Sequence, residues 1–243
     1  MSLNEKLQEA LQINTIWTWH MGGASIPITE TVVTTWVCMA ICIAGGLWWR
    51  SRLEKVPRGK QIFLEWAVDF VNNICKSYFG KYSRYFSAYL GTLFMFIFLM
   101  NLIPVLSPIS GFGFTAPFDI KPPTRDINVT AALAIVSIVM VIVASIGVRG
   151  MKGFLKTFID PMPVMLPFNI LDYITKPLSL CLRLFGNMLG AFIIMQMLEY
   201  IFPLIVPMLG SSYFDWFDGT LQALVFSFLT VIYLNMGMGI EFA

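Results

Sequence analysis

Charge is what this chain has least of. Lys, Arg, Asp and Glu make up 12% of its 243 residues, against about 25% in an ordinary soluble domain. With 57% hydrophobic residues and a mean hydropathy of +0.74, the scarcity excludes a soluble globular protein and indicates an integral membrane protein. A single histidine, His20, leaves no histidine cluster for a metal. The four cysteines, Cys38, Cys42, Cys75 and Cys181, have no zinc or redox spacing and read as buried reduced thiols. No basic block interleaved with aromatics occurs, which removes nucleic acid as a partner. No phosphate-binding loop, Ser–His–Asp set or metal-ligand set occurs, so neither catalytic chemistry nor a cofactor is expected of this chain alone. Residues 1–15, MSLNEKLQEALQINT, carry neither a signal-peptide nor a transit-peptide pattern. No internal repeat stands out.

What is present is a series of long apolar runs. Residues 1–15 suit a short amphipathic helix through Leu3, Leu7, Leu11 and Ile13, too polar to span. Residues 31–49 form the first span, ended by Trp48 and Trp49 and followed by Arg50, Arg52, Lys55, Arg58 and Lys60. The positive-inside rule makes that end cytoplasmic and the N-terminus external. Residues 61–80 show helical amphipathicity, with Ile62, Trp66, Phe70 and Ile74 on one face, which suits a helix lying in the interface. Residues 86–106 run outward, a Pro/Gly-rich loop follows, and 127–148 return inward to Arg149, Lys152 and Lys156. Residues 165–201 run outward to a loop holding Pro203, Pro207, Asp215 and Asp218. Residues 219–238 return to a cytoplasmic C-terminus. Only Lys121 and Arg125 fall outside the expected side. The expected fold is an all-α polytopic membrane protein: one domain over 1–243, about five long helices plus interfacial amphipathic helices, with 1–24 an external segment.

Arg183 lies inside the apolar stretch KPLSLCLRLFGNMLGAFIIMQML. A guanidinium keeps its proton, so this segment holds a full charge at membrane depth. Insertion scales place that cost at roughly 2.5–3.5 kcal/mol. Such a charge marks an ion pathway or a countercharge for a mobile carboxylate more often than a packing device. Ser179, Arg183, Asn187 and Gly190 recur at steps of about four and stack on one helix face. Gly186 and Gly190 form GxxxG, which admits a second backbone. On the last helix Gln222, Phe226, Thr230 and Tyr233 share a face; its polar groups suit either a hydrated path or interhelical hydrogen bonds.

Acids gather toward the two membrane surfaces: Asp126, beside Asn128, and Asp215 and Asp218 outside; Asp160, Asp172 and Glu241 inside. Two vestibules separated by a charge barrier fit that distribution, although Asp126 alone is equally a helix N-cap. A secondary transporter, with Arg183 binding an anionic substrate at the midplane, is the alternative; a membrane scaffold is the third reading.

KPLSLCLRLFGNMLG closely resembles the signature helix of ATP synthase subunit a, the stator subunit of the F-type membrane sector. DGTLQALVFSFLTVIYLNMGM resembles that family's last helix, PTRDINVTAALA its third-span entry and PITETVVTTWVCMAI its first span. The resemblance covers about residues 25–238. It implies two offset half-channels that load and unload the carboxylates of a c-subunit ring, with Arg183 the essential gate, Asn187 its neighbour and Gln222 its partner across two long, tilted helices. It implies a b-subunit peripheral stalk, the rest of the ATP synthase and the lipid bilayer as partners, and protons or sodium as cargo. RLFGN looks bacterial, hence a plasma membrane, or plastid, hence a thylakoid. Two positions depart from the family pattern: Phe192 and Asp215 stand where a carboxylate or histidine and a histidine are usual. The outer route is therefore expected to use Asp126, Asp215 or Asp218, with Asn128, Asn101, Asp172, Ser179, Tyr233 and Glu199 as further candidates.

Overall fold

The computed structural model describes residues 15–21, 24–51, 59–103, 122–159, 164, 166–201, 210 and 212–239. An antiparallel hairpin, β1 (Thr15–Met21) and β2 (Ala24–Thr29), leads directly into α1 (Glu30–Arg50). The hairpin was not expected from the sequence, which placed no strand anywhere. The amphipathic helix expected over residues 1–15 lies outside the described residues except for Thr15, which is in β1.

Next come α2 (Lys60–Phe79), a 3₁₀ turn (Gly80–Tyr82) and α3 (Ser83–Leu102). Further along the chain, a 3₁₀ turn (Pro123–Arg125) leads into α4 (Ile127–Ile159), and α5 (Leu166–Ile201), a π-helical turn (Ser212–Asp218) and α6 (Gly219–Met238) follow. Among the described residues five helical stretches are long and apolar enough to cross a membrane, as the run pattern predicts.

The last helix is the axis of the fold. α6 packs on α2, α3, α4 and α5, whereas α1 touches the rest mainly through α3. One buried cluster joins Phe79, Phe86 and Leu90 to Val141, Ala144, Val231 and Leu234; a second joins Leu93 and Ile97 to Leu180, Leu184, Ala223 and Phe226. Polar side chains tie the helices together. Asn101 Nδ2 donates to the Gly219 carbonyl at 3.1 Å while its Oδ1 accepts from Thr124 Oγ1 at 2.8 Å. Asn235 Nδ2 donates to the Tyr78 carbonyl. These interhelical bonds satisfy groups that lipid cannot.

Two elements differ from expectation. α2 turns back at Gly80–Tyr82 to lie against α3, with Val71 opposite Gly91, and also packs on α6. Of the expected apolar face, Ile74 packs inward, but Ile62, Trp66 and Phe70 are exposed. Burial is on the side of Val71, Cys75, Tyr78 and Phe79, so the helix has two apolar faces, one for the bundle and one outward. α4 runs past residue 148 to Ile159, bending at Gly150, whose φ of 72° and ψ of 166° are not helical. Glycine alone takes that backbone without strain. All four cysteines are free; Cys38, Cys75 and Cys181 are buried, as expected, whereas Cys42 is only partly so.

Candidate functional site

Arg183 is exposed on α5, together with Ser179, Gly186 and Asn187. Among the described residues it forms no ion pair or hydrogen bond. A Cβ added at Gly186 or Gly190 would meet nothing within 4 Å. Among the described residues the polar, small-residue face is therefore open, and nothing there ties its guanidinium to the helices of its own chain. The buried side of the same helix, Leu180, Cys181, Leu184 and Met188, packs inward. Thr130 Oγ1 and Cys181 Sγ, 3.5 Å apart, join α4 to α5 there.

The face of α6 turns the other way. Gln222, Phe226 and Thr230 are buried and Tyr233 is partly so. Thr230 Oγ1 donates to the Phe226 carbonyl of its own helix at 2.9 Å. No hydrogen bond joins Gln222 to Arg183 among the described residues. Tyr233 instead lies beneath Lys176, whose Nζ is 5.9 Å from the ring centre.

Asp126 sits behind α5. It is buried, and its carboxylate accepts from Thr31 Oγ1 at 2.9 Å and from the backbone N and Nδ2 of Asn128 at 2.9 and 3.0 Å. It thus caps α4 and holds the start of α1. A cavity of about 240 Å³ beside it is lined by Thr31, Arg125, Asp126, Asn128, Phe185 and Leu189. Phe185, Leu189 and Phe192 fall about 200°, 240° and 180° around α5 from Arg183, so this cavity and the arginine lie on opposite sides of one helix.

Arg125 is the residue the sequence reading passed over. It is 8% exposed, in the 3₁₀ turn before Asp126, and its guanidinium carbon lies 4.2 Å from the centre of the Phe192 ring. Phe192, the position without the usual carboxylate or histidine, is thus the seat of a cation. The available signal was its place as one of two exceptions to the positive-inside pattern.

Asp218 ends the π-helical turn and stands at the N-cap of α6, yet makes no capping bond. Its Oδ1 accepts instead from Asn187 Nδ2, one turn from Arg183, at 3.5 Å. Asn101 is buried with its amide engaged at both ends. Asp172 is exposed on α5. Asp160 and Glu241, and the side chains of Asp215 and Glu199, lie outside the described residues. No group of three metal-ligating side chains occurs among the described residues.

Residues 32–235 match the family model described as ATP synthase A chain. The chain belongs to this family. It is 34% identical over 223 residues to the "ATP synthase subunit a, sodium ion specific" of Propionigenium modestum, covering 90% of this chain and 77% of that one. It is also 34% identical over 223 residues to the "ATP synthase subunit a" of Moorella thermoacetica, covering 89% of this chain and 93% of that one. The ATP synthase A chain match takes in α1 to α6 except for a few residues at either end, and with it every span. This member of the family is a multi-pass membrane protein, with five long apolar helices among the described residues.

Proposed function

We propose that this chain is the ion-translocating stator subunit of an F-type ATP synthase, with Arg183 as the electrostatic gate against a rotating ring of c subunits. The supporting observation is the open face of α5: an exposed arginine with no partner among the described residues, followed on the helix by Gly186 and Gly190, with room for a neighbouring helix to approach. A transporter would need a pocket around that charge, and a scaffold would need no free charge at all.

The mechanism follows from the physics of charge in lipid. A ring carboxylate facing lipid is neutral, because desolvation disfavours the anion. Beside Arg183 it ionises, because the opposite charge favours the anion. The released cation leaves by one vestibule, and the next carboxylate is loaded from the other. Each charge that crosses gains about 2.3 kcal/mol per 100 mV, which turns the rotor. The fixed guanidinium also repels a cation crossing directly between vestibules. Chemistry on ATP occurs elsewhere in the complex.

Asp126 and Asn128, in the cavity behind α5, belong to the outer route with Asp215, Asp218 and Glu199; Asp172 faces the inner one; Ser179, Asn187, Gln222 and Tyr233 shape the surface between. The termini lie as the basic clusters direct, N-terminus outside and C-terminus in the cytoplasm. The b-subunit stalk holds the chain against torque. The cargo is a proton or a sodium ion; the Propionigenium relative is named for sodium, and the ring's own site chiefly sets the choice. The test is Arg183→Ala in the whole synthase reconstituted in vesicles. Ion-driven ATP synthesis and ATP-driven pumping are expected to vanish while the complex still assembles. Retained coupling overturns the reading.

A further inference from the structure

Three facts about Asp218 stand together. It stands where the π-helical turn passes into α6, its carboxylate makes no capping bond to that helix, and it accepts instead from Asn187 across to α5. It closes a seven-residue π-helical turn, Ser212–Asp218, a wide winding that is rare and recurs at functional sites. And Asn187 follows Arg183 by four positions, about 6 Å along the axis and about 40° around it, both side chains being exposed.

The other acids are placed differently. Asp126 is behind α5, its oxygens engaged by Thr31 and Asn128. Phe192 is apolar and covered by Arg125. Asp172 shares the face of Arg183 but lies eleven residues earlier, about 16 Å toward the inner end. Among the acids whose side chains are described, Asp218 alone is joined to a residue one turn from the gate.

We infer that Asp218 is the last carrier of the cation between the outer route and the rotor carboxylate, with Asn187 positioning its carboxylate beside Arg183. The inference rests on the stator reading above. In the direction of synthesis, a proton arriving from outside binds Asp218 Oδ2, which has no partner among the described residues. The rotor carboxylate moves off Arg183 as an anion and takes that proton. The O–H bond on Asp218 breaks, one forms on the rotor acid, and Asp218 returns to the anion that the Asn187 amide holds. A sodium ion would pass between the same two carboxylates by exchange of ligand oxygens, with no covalent change. The 3.5 Å contact is long for a hydrogen bond, so the carboxylate is aimed without being locked.

The test uses the whole synthase in vesicles, with ATP synthesis and passive ion flux through the membrane sector measured for Asp218→Asn, Asp218→Glu and Asn187→Ala. The amide has no site for the transferred proton and offers a sodium ion no negative charge, so Asp218→Asn is expected to lower both rates about 100-fold, the low end for a positioned proton carrier. Asp218→Glu is expected to restore most of the rate, and Asn187→Ala to fall between. Wild-type rates in Asp218→Asn, or a Glu variant as inactive as the Asn variant in assembled enzyme, overturn the inference. If the amide variant does not assemble, wild-type rates in Asn187→Ala overturn it. If Arg183→Ala uncouples the enzyme and Asp218→Asn does not, this inference alone falls; if Arg183→Ala stays coupled, the stator reading falls with it.

Discussion

Arg149 on α4 closes the end of α6: its Nε donates to the Met238 carbonyl at 2.8 Å. The same guanidinium donates from Nη1 to Thr157 Oγ1 at 2.7 Å, beyond the bend at Gly150. One side chain thus joins the Met238 carbonyl, at the C-terminal end of the central helix, to both halves of α4, with its charge at the favourable end of the α6 dipole. Arg149→Met is expected to destabilise the protein by about 1.5–3 kcal/mol, the range for hydrogen bonds made by charged groups. Arg149→Lys should recover only part of this, because an ammonium on a single stem cannot bridge both acceptors in a fixed fork. Thermal unfolding in detergent measures both.

The neighbouring Gly239 gives a coupled prediction. Its φ is 58°, and its N–H donates to the carbonyls of Asn235 and Met236 at 2.9 and 3.2 Å. A Cβ there would overlap the Arg149 guanidinium at Nη2. Gly239→Ala should therefore cost more than the roughly 1–2 kcal/mol of left-handed backbone strain. In an Arg149→Met background the excess should disappear, leaving the strain alone. A double-mutant cycle on the same melting assay reads the coupling.

Asp126 joins two helix starts, so its loss should be felt in α1 as well as in α4. Asp126→Ala is expected to cost about 0.5–2 kcal/mol as a lost cap. Thr31→Val removes the link to Asp126 at 2.9 Å, together with the 2.7 Å bond between the Thr29 and Thr31 hydroxyls, and should leave the cap intact. Hydrogen exchange separates them: Thr31→Val should speed exchange at the outer end of α1 while the first turn of α4 keeps its protection.

Arg125 and Phe192 form a pair whose worth is about 0.5–2 kcal/mol if it behaves as other cation–π contacts do. Phe192→Leu keeps most of the apolar volume and removes the ring. Its effect in the wild type should exceed its effect in an Arg125→Met background by about that amount. Equal effects in the two backgrounds would show that the guanidinium gains nothing from the ring.

The open face of α5 separates stability from assembly. Gly186→Leu adds bulk where nothing lies within 4 Å, so the subunit's own melting should change by about 0.5 kcal/mol or less. Copurification of the rotor ring should fall sharply, because that bulk stands where a partner helix would approach. Unchanged copurification would remove this face as the rotor contact.

The spans were legible because each is a run of apolar residues long enough to cross a bilayer, and lipid demands that pattern locally. Arg183 stood out for the same reason: a charge in such a run is visible without a structure. The amphipathic stripe of α2 was legible, and Ile62, Trp66 and Phe70 are turned outward as an interfacial face would be; the second apolar side, through Val71, Cys75, Tyr78 and Phe79, was not. In a membrane protein both faces of a helix can be apolar, so periodicity does not say which one meets the protein. The hairpin before α1 was missed because its strands carry no clean alternation, and the run through Gly150 because a single glycine gives no warning of a bend.

The sequence by itself determined the membrane class, the number of long spans, the family and the arginine at their centre, all of them properties of residue type along a continuous stretch. Only the tertiary structure decided that Arg183 is exposed while Gln222 is buried, that Arg125 rests on Phe192, and that Asp218 meets Asn187 rather than capping its own helix. Those relations join residues 31 to 67 positions apart. They depend on how helices rotate and cross when they pack, a collective outcome of the whole bundle that no local stretch encodes.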